Sequence, residues 1–161
     1  MRFQARSLVH ATERTTTEHV ILAFIARLCL VLIFPLSCLN KLFDYQSAMA
    51  QAANGLIPLS PAIATLLLVL GGTLEATGPF CILFGFYRHQ AALLFIFYVV
   101  ATAVLFHNFW SSPFNGDAWN ENFWPFLKNF GLAGGFLYIA ADARMQSLRG
   151  AFSFSPREAE K

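Results

Sequence analysis

Residues 20–39, 61–84, 91–106 and 125–141 are four apolar runs, each long enough or nearly so to cross a lipid bilayer. A helix rises about 1.5 Å per residue and the hydrocarbon core is roughly 30 Å thick, so the shorter runs extend to residues 88–107 and 125–143. Backbone groups in lipid must bond within the protein, and none of the runs alternates strictly, which favours helices over barrel strands. These features predict an all-α membrane protein, a four-transmembrane-helix antiparallel bundle with both termini inside (N-in/C-in). The spans fall at about 20–39, 61–84, 88–107 and 125–143 and form one domain, 20–143. A polar cytoplasmic segment, 1–19, precedes it and a flexible cytoplasmic tail, 144–161, follows.

Composition agrees. Charged residues make up 12% of the 161-residue chain and hydrophobic ones 57%. A soluble domain is about 25% charged, so half the usual surface charge is missing. The eighteen Phe could not all be hidden from water in so small a protein. Arg2, Arg6, Arg14, Arg88, Arg144, Arg149, Arg157 and Lys161 fall on one side of the spans, while Lys41 and Lys128 fall on the other. Positive residues stay cytoplasmic, which sets the inside orientation. The loops at 44–60 and 107–124 then face outward, with Tyr45, Trp110, Trp119 and Trp124 at the interface. The leader 1–19 is long and carries Glu13 and Glu18, so the first run reads as a retained span rather than a signal peptide. A net charge of +2 spread over tails and one loop gives no sign of nucleic-acid binding.

Two ionisable residues lie deep within apolar runs: Arg27 in the first and Glu75 in the second. Each costs about 2.5–3.5 kcal/mol on insertion scales unless it faces a partner or a wet cavity. Measured from the start of each run the two are level, which predicts a buried Arg27–Glu75 ion pair. Such a pair fixes helix register, or it forms a proton or ligand site. Pro79 strengthens interest in the spot, because it supplies no N–H to the Glu75 carbonyl; Pro35 does the same to Val31. Arg27, Val31, Phe34, Cys38 and Lys41 share one face of the first span, and Gly71, Glu75, Gly78 and Ile82 one face of the second. Gly131, Gly134 and Gly135 in the fourth permit close helix approach, within the bundle or between copies.

At the outer end, Lys41, His107, Lys128 and Asn129 meet at one level. Two lysines, an imidazole and a helix start suit an anion or a polarised carbonyl oxygen; the alternative is ordinary interfacial anchoring. His10, His19, His89 and His107 lack metal-ligand spacing, and Cys29, Cys38 and Cys81 form no C-x-x-C. No haem, metal or nucleotide site is predicted.

In this order the residues resemble the DoxX family of small four-helix inner-membrane proteins. The likeness is carried by Arg27, Lys41, Glu75 with the glycine-bearing stretch to Gly85, Phe106-His107, and Lys128-Asn129 before Gly134-Gly135. It covers residues 26–140. Cys38 stands where the family commonly has glycine, and Ala76-Thr77-Gly78-Pro79 replace glycines after the glutamate. The resemblance implies relation to the small subunit of a thiosulfate:quinone oxidoreductase.

The expectation is an inner-membrane subunit of a quinone-linked oxidoreductase system. Arg27 and Glu75 would carry protons; Lys41, His107, Lys128 and Asn129 would bind a quinone oxygen. The alternative is a non-catalytic scaffold or assembly factor that anchors a partner redox enzyme. Expected partners are membrane lipid, a redox enzyme and a second copy of the chain, with no nucleic acid. Four short helices leave little room for a transporter.

Overall fold

The computed structural model describes the backbone of residues 2–53 and 55–153, and the side chains of residues 17–53 and 55–148. Six α-helices follow one another: α1 (Arg2–Val31), α2 (Ile33–Phe43), α3 (Tyr45–Ala53), α4 (Pro61–Phe84), α5 (Arg88–Phe106) and α6 (Asp117–Ser153). A short 3₁₀ turn, Phe109–Ser111, joins α5 to α6. No strand occurs among the described residues.

Among the described residues three segments are long and apolar enough to cross a membrane: Thr17–Phe43, Pro61–Phe84 and Arg88–Ser111. The first comprises the end of α1 and all of α2. The missing N–H of Pro35 breaks the ladder there, and Leu32 stands between the two helices in a still-helical conformation. Ser60 caps α4, its hydroxyl accepting from the Ile63 amide at 3.5 Å, with Pro61 in the first turn. Gly85 closes α4 in the left-handed region, at φ 87°, where a side chain would be strained.

The expected fourth span starts earlier than its apolar run. α6 begins at Asp117 rather than at Pro125, which lies inside the helix. Gly116 and the left-handed Asn115 turn the chain, and the Asp117 carboxylate suits a helix N-terminus. The helix continues past residue 143 through Ser153, and residues 154–161 of the expected tail lie outside the described residues. The loop 44–60 contains α3, whose Ala48 and Ala52 are buried.

The core is aromatic. Phe34, Phe95 and Phe136 come from α2, α5 and α6, with ring centroids 4.5 Å apart for Phe34–Phe95 and 4.8 Å for Phe95–Phe136. Gly78 admits the Phe95 ring: a Cβ there would sit 2.5 Å from it. Gly135 similarly admits Leu30, so α6 lies against α1. Gly131 and Gly134 are exposed and meet nothing within 4 Å. The glycines of α6 thus divide between inner packing and the outer face.

Two contacts, one from α2 and one from the start of α3, define how this part of the chain runs along α4. Cys38 Sγ lies 3.5 Å from the Gly72 carbonyl, and Tyr45 Oη lies 3.3 Å from Thr65 Oγ1. Between antiparallel helices these pairs place Glu75 level with Pro35, and Arg27 level with Leu83. Arg27 is therefore about eight residues, roughly 12 Å, from the level of Glu75.

Candidate functional site

Glu75 is 3% exposed, on the buried face of α4. Lys41 of α2 reaches it, with Nζ donating to Oε1 at 2.8 Å and to Oε2 at 2.7 Å. The same ammonium donates to Ser37 Oγ at 2.7 Å, one helical turn earlier. Ser37 Oγ donates to Glu75 Oε1 at 3.3 Å, and Tyr98 Oη of α5 donates to that oxygen at 2.6 Å. Three helices are thereby tied to one carboxylate. An ammonium has three donors, so Lys41 has none left over. Oε1 accepts from three groups and Oε2 from Lys41 alone, which leaves the carboxylate's open acceptor capacity on Oε2.

The predicted Arg27–Glu75 pair does not form. Arg27 instead approaches Asp142 of α6, Nη2 to Oδ2 3.7 Å, at the Gly85 end of the bundle. The cause is register. Measuring depth from the first apolar residue placed Arg27 too high, because α1 continues as a helix well past the end of α4. A lysine stem can span the remaining distance to a buried carboxylate, and Lys41 starts only one turn from Ser37.

A cavity of about 660 Å³ opens beside this centre. Its polar lining includes Lys41, Glu75 and Tyr98, together with His107, Lys128 and Asn129. Five of the six residues singled out from the sequence thus border one space, and Arg27 does not. The remaining walls are mostly apolar, with Phe34, Leu74, Leu94, Phe97 and Leu132 among them. Leu94 and Phe97 are also exposed on the outer surface of the bundle, so the cavity reaches the face that lipid covers.

The polar groups of the cavity differ in their commitments. The Lys41 ammonium is spent on Glu75 and Ser37, and Tyr98 on Glu75, while Glu75 Oε2 keeps acceptor capacity. His107 interacts with the Asn122 side chain and with the charge of Lys128. The side chains of Lys128 and Asn129 make no hydrogen bond or ion pair to any described residue. Their donors are therefore free for a ligand. The arrangement can hold an apolar ring or chain against Phe and Leu, present free donors to an oxygen, and keep a buried carboxylate near. Among the described residues no group of three His, Cys, Asp or Glu could hold a metal ion.

Sequence reasoning missed Ser37 and Tyr98. Ser37 precedes Lys41 by one helical turn, so it shares that face. Tyr98 and Thr102 are the polar side chains of the run 91–106, and a tyrosine in mid-span usually finds a buried partner. Gly71 makes its reach possible, since a Cβ there would come within 3.2 Å of Tyr98 Oη.

The DoxX family model matches residues 22–108. This chain belongs to the DoxX family. The matched segment contains Lys41, Glu75, Tyr98 and His107, and it ends before Lys128 and Asn129. The chain is also 34% identical over 120 residues to the inner membrane protein YphA of Escherichia coli (strain K12), covering 74% of this chain and 81% of that protein. No solved structure matches significantly. With three helices able to cross a bilayer, this DoxX family member is an integral inner-membrane protein.

Proposed function

We propose that this chain is the membrane-integral subunit of a quinone-linked oxidoreductase system, and that the cavity beside Glu75 receives a quinone head group. The observation that carries the reading is a buried, ion-paired carboxylate with an open acceptor on Oε2, facing an apolar cavity. A volume near 660 Å³ lies within the roughly 300–1,000 Å³ of small-molecule sites, with few polar groups among apolar walls, as such sites have. When bound, a quinone supplies a two-electron, two-proton acceptor, and a partner protein supplies the electrons.

The residues then divide the work. Lys128 and Asn129 donate to an oxygen of the ligand, and His107 stands beside them. Glu75 exchanges a proton through Oε2. Lys41, Ser37 and Tyr98 hold that carboxylate in place. Phe97 and Leu94 form the lipid-side wall through which an apolar ligand would arrive. α6 crosses as a fourth span alongside α5, with both termini and the Gly85 turn on the cytoplasmic side, as the positive-inside rule favours.

The test is retention and turnover. Protein purified in mild detergent is expected to retain quinone, and Glu75→Gln to abolish quinone-linked turnover in membranes while the helix content stays unchanged. Full turnover in that variant would refute the proton role.

One observation favours a second reading, a scaffold that anchors a partner redox enzyme. All donors of Lys41 are consumed inside the protein, as they would be in a pair that only sets helix register. A stable partner in a mild-detergent pull-down, from a chain that retains no quinone, would support it.

A further inference from the structure

Arg27, released from the role expected of it, is left in an unusual state. Its side chain is only 15% exposed. Its nearest acidic oxygen, on Asp142, is 3.7 Å away, beyond hydrogen-bond reach, and no N–H of the guanidinium has an acceptor among the described residues. Asp142 is itself engaged, accepting from Gln146 Nε2 at 2.8 Å. A second guanidinium stands at the same end, where His89 Nδ1 lies 2.9 Å from the Ala140 carbonyl and so brings the start of α5 against α6. Arg88, the first residue of α5, feels the charges of both Arg27 and Asp142. Its Nε donates to the Ile82 carbonyl at 3.1 Å, which closes the end of α4, and its remaining N–H groups have no acceptor among the described residues.

Two guanidiniums from separate helices therefore act on one carboxylate, Arg27 at 3.7 Å and Arg88 through its charge, with most of their donors unspent and one positive charge in excess. A largely buried guanidinium favours a partner with closely spaced anionic oxygens, and phosphate matches its forked donors. The level in the membrane indicates the source. α4 has 24 residues, about 36 Å of helix, so its Gly85 end lies just past a hydrocarbon core of roughly 30 Å. Phe84, Phe86 and Tyr87 are exposed around that turn, as an interfacial ring would be. Lipid head groups occupy this depth.

We propose that Arg27 and Arg88 hold the phosphate of an anionic phospholipid at the Gly85 end of the bundle, beside Asp142. The site is remote from the cavity beside Glu75 and independent of what that cavity binds. It gives a physical role to a charged residue that would otherwise be costly at its position.

The full-length protein in mild detergent is titrated with phosphatidylglycerol or phosphatidylcholine of matched chains, and lipid adducts are followed by native mass spectrometry. Phosphatidylglycerol is expected to bind about tenfold more tightly or better, the order of effect of two basic side chains at an anionic surface. Arg27→Gln with Arg88→Gln should erase the preference, while Arg144→Gln, an exposed arginine nearby, should change it less than about twofold. If the double glutamine variant does not fold, Arg27→Lys with Arg88→Lys keeps the charge and should still weaken binding severalfold by removing the forks. Equal binding of the two lipids by the native chain overturns the proposal. So does an Arg144→Gln loss as large as that of the double glutamine variant. Displacement of phosphatidylglycerol by millimolar inorganic phosphate would assign the site to free phosphate and overturn the lipid.

Discussion

Removing Lys41 tests the centre of the structure most directly, because it separates an ion pair that is needed from one that is merely present. Lys41→Met keeps most of the stem's volume and deletes the ammonium. Glu75, 3% exposed, then keeps only the hydroxyls of Tyr98 and Ser37. Breaking a buried pair from one side costs about 3–5 kcal/mol. The Lys41 side chain is 26% exposed, so water reaches part of the site and a cost of about 2–4 kcal/mol is the better expectation. For a chain of this size that corresponds to a melting point lower by roughly 5–15 °C. Glu75→Gln should be gentler, about 1–2 kcal/mol, because the amide oxygen can still accept from Tyr98 and the flexible lysine can turn toward water. The double variant Lys41→Met/Glu75→Gln removes both charges and should recover at least half of the loss from Lys41→Met. Tryptophan fluorescence melts in mild detergent measure all three. A Lys41→Met protein that melts within about 2 °C of the native chain would refute the reasoning, as would a double variant no more stable than the single.

Tyr98→Phe removes a 2.6 Å bond to a buried carboxylate and should cost about 1.5–3 kcal/mol in the same melts, with little change in helix content. Gly78→Ala forces a methyl to within 2.5 Å of Phe95 and should destabilise by about 1–3 kcal/mol, whereas Gly134→Ala, with nothing within 4 Å, should be neutral or slightly stabilising by circular-dichroism melts. Lys128→Gln should lower quinone retention severalfold with almost no effect on the melting point, because the Lys128 side chain makes no hydrogen bond among the described residues. Arg27→Gln should leave quinone retention within about twofold of native, since Arg27 is not part of the cavity lining.

Much of the bundle could be read from residue patterns because those patterns are local. The face 27, 31, 34, 38, 41 was expected, and on it Val31 and Phe34 are buried while Lys41 reaches Glu75. The face 71, 75, 78, 82 likewise holds three buried residues, with Gly71 under Tyr98. Helical periodicity gives such faces whatever the partner helix does. The beginning of α6 was misplaced because proline and the apolar run both pointed to residue 125, while the actual start depends on the turn at Asn115 and Gly116.

The amino-acid order alone determined that the chain is membrane-embedded and helical, that a carboxylate lies deep in it, and that Lys41, His107, Lys128 and Asn129 gather at one end. Those conclusions rest on hydropathy and on spacing along single helices, which need no knowledge of neighbours. Only the tertiary structure decided the partner of Glu75, because pairing depends on the axial offset between two helices. That offset is set by contacts such as Cys38 with Gly72, and a shift of two turns exchanges a lysine for an arginine.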